Sequence, residues 1–403
     1  MQVTFISADP IALRYPLLKP SLQKLKNTGY QFILSCTIRE RLYSLVDGGT
    51  ITVKVKPIEG VRKERSINRK TEAIDRRPFE PRHGLYNYTL GIIADLDKKS
   101  KRRDVNGEDE WFSYLRTGNL YLRYQQHSQN GASINITWNQ GKRQELVQNI
   151  SFNGRAMEFS ELIVYQLQLL TCDDQSGIVY KLLPNFPRKG KVSWRHVKWL
   201  QLPNVDHKKG FKCEWAAEKD GNLWVGSHGR EGMYDVHEIS PTGTVKTHDW
   251  YQNYKRLAAS VDVWLPEIRT NSLLPNGYVT HESAGWDSHN NKWVFLPRKI
   301  SKTKFDPEID MYQGSNQVIV ADEDFKEVSA RAIAGHLIPT HGVSSFKWIP
   351  LEGTNNKYIV ALKTVESTDG RQETYILAFD TAGNILFPET KIEDNKYEGL
   401  EFI

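Results

Sequence analysis

Acidic residues cluster beside apolar runs at three places in this chain. Asp95 and Asp97 close the run YTLGIIA in the string ADLD, Asp173 and Asp174 open the turn CDDQSG, and Glu158 follows Arg155 in GRAMEFSEL. Carboxylates at strand ends can orient a metal-bound water and take its proton, and an arginine beside them can clamp phosphate oxygens. Taken one by one, residues of this kind are more often turn residues or surface ion pairs, so residue type alone does not assign the chemistry.

A second set is defined by spacing. Ser160 opens SELIVY, Glu214 opens EWAA, Glu282 opens ESAGW, Ser344 opens SSFKWI and Glu398 opens EGLEFI, at intervals of 54, 68, 62 and 54 residues. A polar oxygen at the head of an apolar strand roughly every 60 residues is the period of propeller blades with loops. Innermost propeller strands line a central channel, so one ligand per blade would converge on the axis. Three carboxylates in a tunnel repel one another unless a cation lies between them. A hard cation such as Ca²⁺, which takes six to eight oxygen ligands, suits a mixture of Glu and Ser. Five unrelated strand starts would give the same pattern.

Other chemistries are excluded by inspection. The chain has no GxxxxGK[ST], HExxH or GxSxG. ADLD resembles an EF-hand opening, but Lys99, Ser100 and Asn106 stand where a ligand, the glycine and the terminal glutamate belong.

The elements that must position these residues are short strands. ASINITWN alternates Ile134, Ile136 and Trp138 with polar residues, and DDQSGIVYKL, KDGNLWVGS, NNKWVFLP and DTAGNILFP each pass from turn residues into an apolar strand. Tyr251 to Ala259 is the best helix candidate. The 403 residues, 39% hydrophobic and 25% charged, describe an ordinary globular chain, with no apolar run approaching the roughly 20 residues of a membrane helix. The net charge of +6 is misleading as a mark of nucleic-acid binding. Residues 1–80 hold 15 Lys and Arg against 8 Asp and Glu, so the remainder is near neutral and the basic run Arg62 to Arg77 reads as a solvated arm. Residues 1–83 are therefore expected to be a flexible extension, with a short helix over Pro20 to Leu34 and a short strand over Thr50 to Lys56. No stretch reads as a signal peptide, yet sequons at Asn87, Asn135 and Asn149 point toward a lumenal or secreted chain. Cys36, Cys172 and Cys213 form no CxxC pair and are expected to be buried or unpaired thiols.

The strings YTLGIIADLD, GRAMEFSELIVY, DDQSGIVY, KGFKCEWAAEKDGNLWVGSHG, GYVTHESAGWD, PTHGVSSFKWIP and FPETKIEDNKYEGLEFI, in this order from about Gly84 to Ile403, resemble the calcium-activated nucleotidases of the apyrase family. The resemblance implies a five-bladed β-propeller over residues 84–403 with one Ca²⁺ in its channel, hydrolysing nucleoside di- and triphosphates. By motif, the family's calcium ligands fall on Ser160, Glu214, Glu282, Ser344 and Glu398, the five strand heads found by spacing. Its active-site acids fall on Asp95, Asp97 and Asp174, and its phosphate-contacting arginines on Arg155 and Arg298. Glu214 is expected to contribute to catalysis through the metal. Gln175, Ala156 and Lys299 depart from an arginine, a glycine and an arginine of the usual strings. The resemblance also implies a lumenal or secreted enzyme, members of which can form homodimers.

The sequence thus leads to a calcium-dependent nucleoside diphosphatase acting on UDP and GDP. It leaves open a secreted ATP/ADP apyrase and a non-catalytic, calcium-stabilised binding propeller.

Overall fold

The computed structural model describes residues 84–124, 131–185, 193–204, 210–265, 277–351 and 357–403, with backbone only for 140–142 and for two strands at 30–36 and 51–57. The chain divides into compact units at Met1–Lys70 and Thr71–Ile403. In the first, Tyr30–Cys36 pairs antiparallel with Ile51–Pro57. The expected strand is present. The helix expected over Pro20 to Leu34 is corrected where it is described: Tyr30 to Leu34 are strand, because YQFILSC is rich in aromatic and branched residues and has a matching partner. Residues 20–29 and the basic run Arg62 to Arg77 lie outside the described residues.

The second unit is a five-bladed β-propeller. Each blade is an antiparallel sheet; in four the innermost strand comes first in the chain, Phe159–Tyr165, Trp215–Lys219, Ala284–Asp287 and Gly342–Trp348, and in the fifth it is the C-terminal strand Tyr397–Phe402. These five strands touch in sequence around a closed ring. The fifth blade joins the two ends of the unit, because the C-terminal strand pairs with Leu85–Ala94, setting Leu400 opposite Ile92. A ring closed by backbone hydrogen bonds leaves no open sheet between its first and last blades.

Local sequence accounts for the blades. Asp220 and Gly221 both have positive φ and connect Lys219 to Asn222 as a two-residue hairpin, the turn that Asp-Gly favours. Inner strands are buried on both faces, so FSELIVY and YEGLEF show no alternation. The outermost strand of the first blade, Ser193–Gln201, is only partly buried. Apolar side chains fill the wedges between blades. Trp215, Trp250, Trp293 and Phe295 meet at ring separations of 5.2–6.2 Å between the second and third blades, and the helix Tyr251–Ala259 buries Tyr254, Leu257 and Ala258 against them. Among the described residues no helix is long and apolar enough to cross a membrane. Of the sequon asparagines, Asn135 and Asn149 are exposed and Asn87 is half-buried.

Cys172 and Cys213 are bonded to each other. This corrects the expectation of unpaired thiols. The two cysteines, 41 positions apart, carry no spacing motif, and only the packing of the first blade against the segment entering the second brings the two sulfurs together.

Candidate active site and cation centre

Three of the five strand heads owe their orientation to β-bulges. The register of each inner strand slips between Phe159 and Glu161, between Val343 and Ser345, and between Tyr397 and Gly399. Ser160, Ser344 and Glu398 are thus the extra residues, and a bulge re-aims a side chain that regular pleating would send elsewhere. Glu214 and Glu282 sit just ahead of their strands, where Glu214 N–H still bonds Gly226 O at 2.9 Å. Gly399 permits the approach of the fifth blade to the first, since a Cβ there would lie 2.5 Å from Leu162 N.

Ligand atoms of Glu214, Glu282 and Glu398 all lie within 4.8 Å of one another, and all three residues are buried. Ser160 Oγ is buried with no hydrogen-bond partner among the described residues, and Ser344 Oγ has only a 3.4 Å contact to Tyr397 O. Three carboxylates and an orphaned hydroxyl are a donor set that fits a hard divalent cation. Burial pushes the Glu214 carboxyl up to about 7 against the pull of Lys212, and pushes Glu398 well above the carboxylate range. A divalent ion would reverse both shifts.

A second acidic group, Asp95, Asp97 and Glu158, also has its ligand atoms within 4.8 Å of one another. Asp95 follows the strand Leu85–Ala94, and Asp97 turns the chain with a positive φ into a short 3₁₀ segment. Burial alone would raise Asp95, but Lys396 at 2.9 Å and the Asp97 N–H hold it down at about 2. Asp97 is pushed up to about 6 by burial and by Asp95, and Glu158 to about 8 by burial with Asp95 and Asp174. Asp174 is raised by burial despite its contact with Lys212.

Cations thread these carboxylates together. Lys212 contacts Asp174 and lies 2.8 Å from Glu214. Lys396 reaches Asp95, Asp97 at 2.8 Å and Glu398 at 3.4 Å. Arg298 is buried, contacts Glu282 and lies 2.8 Å from Glu398 and 3.3 Å from Glu366. Arg155 pairs with Glu158, Nε to Oε1 at 2.8 Å. Gln175 Nε2 donates to Asp174 Oδ1 at 3.0 Å.

One cavity of about 330 Å³ is lined by Asp95, Asp97, Glu214, Glu282, Arg298 and Glu398 among others. Arg155 and Asp174 line a neighbouring cavity instead. Lys212 lines both. Lys212, Lys396 and Glu366 were not singled out by sequence reasoning, and Glu158 was noted only beside Arg155. A signal for the lysines exists: each stands two residues before a ring glutamate, as Lys212-Cys213-Glu214 and Lys396-Tyr397-Glu398.

Residues 96–403 match the family model described as Apyrase. The chain is 36% identical over 356 residues to "Soluble calcium-activated nucleotidase 1" of Rattus norvegicus, an alignment spanning 85% of this chain and 80% of that protein. It is 37% identical over 333 residues to the protein of that name in Mus musculus, covering 79% and 75%. Over 329 residues it is 36% identical to "Apyrase" of Cimex lectularius, covering 78% and 82%. With a family match over most of its propeller and relatives this similar along most of their length, the chain belongs to the apyrase family.

Proposed function

We propose that this chain hydrolyses phosphoanhydride bonds of nucleoside diphosphates, UDP and GDP foremost, and of triphosphates, releasing phosphate with Ca²⁺ as cofactor. Family membership supports a nucleotide-hydrolysing enzyme. The observation that carries the metal dependence is the convergence of Glu214, Glu282 and Glu398 beside the unpartnered hydroxyl of Ser160.

Glu214, Glu282 and Glu398, with the hydroxyls of Ser160 and Ser344, would hold the ion. Bound there, calcium would neutralise charge on the phosphate oxygens and polarise water. Lys212, Lys396 and Arg298 are paired with these carboxylates and would turn to phosphate oxygens when substrate enters. Arg155 holds the phosphate chain from the neighbouring cavity. Asp95, kept ionised by Lys396, orients the attacking water as a hydrogen-bond acceptor. Asp174, whose proton affinity burial raises, takes the water's proton, with Asp97 beside Asp95 as the further acceptor.

The Cys172–Cys213 disulfide supports an oxidising compartment, either the lumen of the secretory pathway or the exterior. Phosphate release from UDP, GDP, ADP and ATP, each in Ca²⁺, Mg²⁺ or chelator, tests the activity. UDP and GDP ahead of ADP and ATP fits the diphosphatase reading, and the reverse order fits an ATP/ADP apyrase. No release from folded protein rejects both.

A further inference from the structure

The cavity adjoining the cation centre is the larger of the two, about 660 Å³, which is within the range for a small-molecule site. It opens between the first two blades and shares Lys212 with the acidic cavity. Its two ends differ in chemistry. Arg155 and Lys212, both cationic, line it, and Lys212, just ahead of the innermost strand of the second blade, is the residue it shares with the acidic cavity. Phe211 and Tyr234 also line it, and Asp235 and Asp249 do so from the two outer strands of that blade, farther from the channel.

Those two aspartates are placed by the second blade. Asp235 begins the strand Asp235–Ile239, Asp249 ends Val245–Asp249, and the two are direct partners in the ladder. Like charges directly opposite one another on a sheet are unfavourable, and burial together with Asp249 raises the Asp235 carboxyl. Asp249 Oδ1 accepts from Tyr251 N at 2.9 Å. The Asp235 side chain makes no hydrogen bond or ion pair among the described residues. Half-buried beside a like charge and without a donor, it has its acceptor capacity open to a ligand.

We infer that this cavity seats the nucleoside half of the substrate, with Asp235 and Asp249 accepting hydrogen bonds from N–H groups on the base. This rests on the nucleotide-hydrolysing reading and extends it to base choice. Phosphates belong at the Arg155 and Lys212 end, where the cavity meets the cation centre. A base belongs against Phe211 and Tyr234. Ionised carboxylates only accept, so they favour bases that present a ring N–H donor at that edge, guanine N1–H beside its exocyclic N2 amino group and uracil N3–H. Adenine N1 and cytosine N3 are unprotonated and would turn a lone pair toward the carboxylates, leaving only the exocyclic amino group at that edge to donate. A polar wall left unmatched in this way discriminates strongly against the wrong ligand.

The test uses the full-length, calcium-loaded chain and its Asp235→Asn and Asp249→Asn variants, with melting temperatures confirming that each is folded. Turnover of GDP, UDP, ADP and CDP is measured alongside calorimetric binding of GMP and AMP. The wild type should prefer GDP and UDP in kcat/KM. Asp235→Asn, whose amide can also donate, should lower the GDP to ADP ratio about tenfold, mainly through KM, a change of about 1.4 kcal/mol. Binding of GMP should weaken in parallel. An unchanged GDP to ADP ratio in both folded variants overturns the assignment. If no nucleotide is hydrolysed, the activity reading fails separately and GMP binding decides the seat: binding lost on Asp235→Asn upholds it, and absent or unaltered binding rejects it.

Discussion

The Lys212 ammonium lies 2.8 Å from Glu214 and also contacts Asp174, so one side chain joins a ring glutamate to an acid of the neighbouring cavity. On the proposed function its charge would compete for Glu214 with a cation in the channel and would turn toward phosphate once that cation binds. Replacing Lys212 with Met should therefore lower turnover about 100-fold, the scale of losing one preorganised charge partner. The calcium concentration for half-maximal rate should not rise. Calcium titrations of phosphate release check this; normal turnover with a raised calcium requirement would reverse the assigned role.

Asp174 and Glu282 should separate cleanly in the same assay. Asp174→Asn removes the proposed proton acceptor and is expected to cost about 100-fold or more in turnover, with calcium half-saturation nearly unchanged. Glu282→Ala removes a ring carboxylate and should raise half-saturation about tenfold or more while leaving a substantial rate at high calcium. Near-normal turnover in the first variant, or unaltered calcium dependence in the second, would remove that residue from its role.

The disulfide closes a loop of 41 residues and joins the second strand of the first blade to the segment carrying Lys212 and Glu214. Chain-entropy arguments put the stabilisation from such a loop at about 4 kcal/mol. The Cys172→Ala, Cys213→Ala double variant should show a loss of that order in reversible urea unfolding. Unchanged stability would mean that native strain cancels the entropic gain.

His237 provides a pH probe away from the cation centre. It is buried, its ring lies 4.2 Å from that of Phe211, Nε2 is 2.9 Å from Pro203 O, and Nδ1 is 3.0 Å from Thr247 Oγ1. A neutral ring that donates from Nε2 and accepts at Nδ1 satisfies both partners, and burial lowers its pKa to about 4. Between that value and the ordinary 6.5 the unfolded chain binds a proton that the folded chain does not. Stability is complete above pH 6.5 and falls as pH drops toward 4, by about 3 kcal/mol for this group. Urea midpoints across that range should fall more steeply for the wild type than for His237→Gln. Parallel slopes would show that His237 is not responsible.

The parts of the fold legible in the sequence are those written locally. The Asp220-Gly221 hairpin, the helix Tyr251–Ala259 and the recurring strand heads follow from turn chemistry and spacing, and the five heads do stand at or beside the five innermost strands. Features that depend on register against a partner strand or on contact between distant segments were not legible. The bulges that turn Ser160, Ser344 and Glu398 arise from register against neighbouring strands. Lys396 gains meaning only when the closing blade brings it to Asp95, and Cys172 when it meets Cys213. Tyr30 to Leu34 became strand because Val53 to Pro57 supplied partners that periodicity over Pro20 to Leu34 could not reveal.

The most direct test of a cation held by Glu214, Glu282 and Glu398 for nucleotide hydrolysis is phosphate release from UDP by the full-length chain as free calcium is raised from chelated levels. The predicted result is a rate that is negligible in chelator, rises to saturation with calcium and is displaced to higher calcium by Glu398→Gln. An equal rate in chelator, or no release from folded protein that has bound calcium, would contradict it.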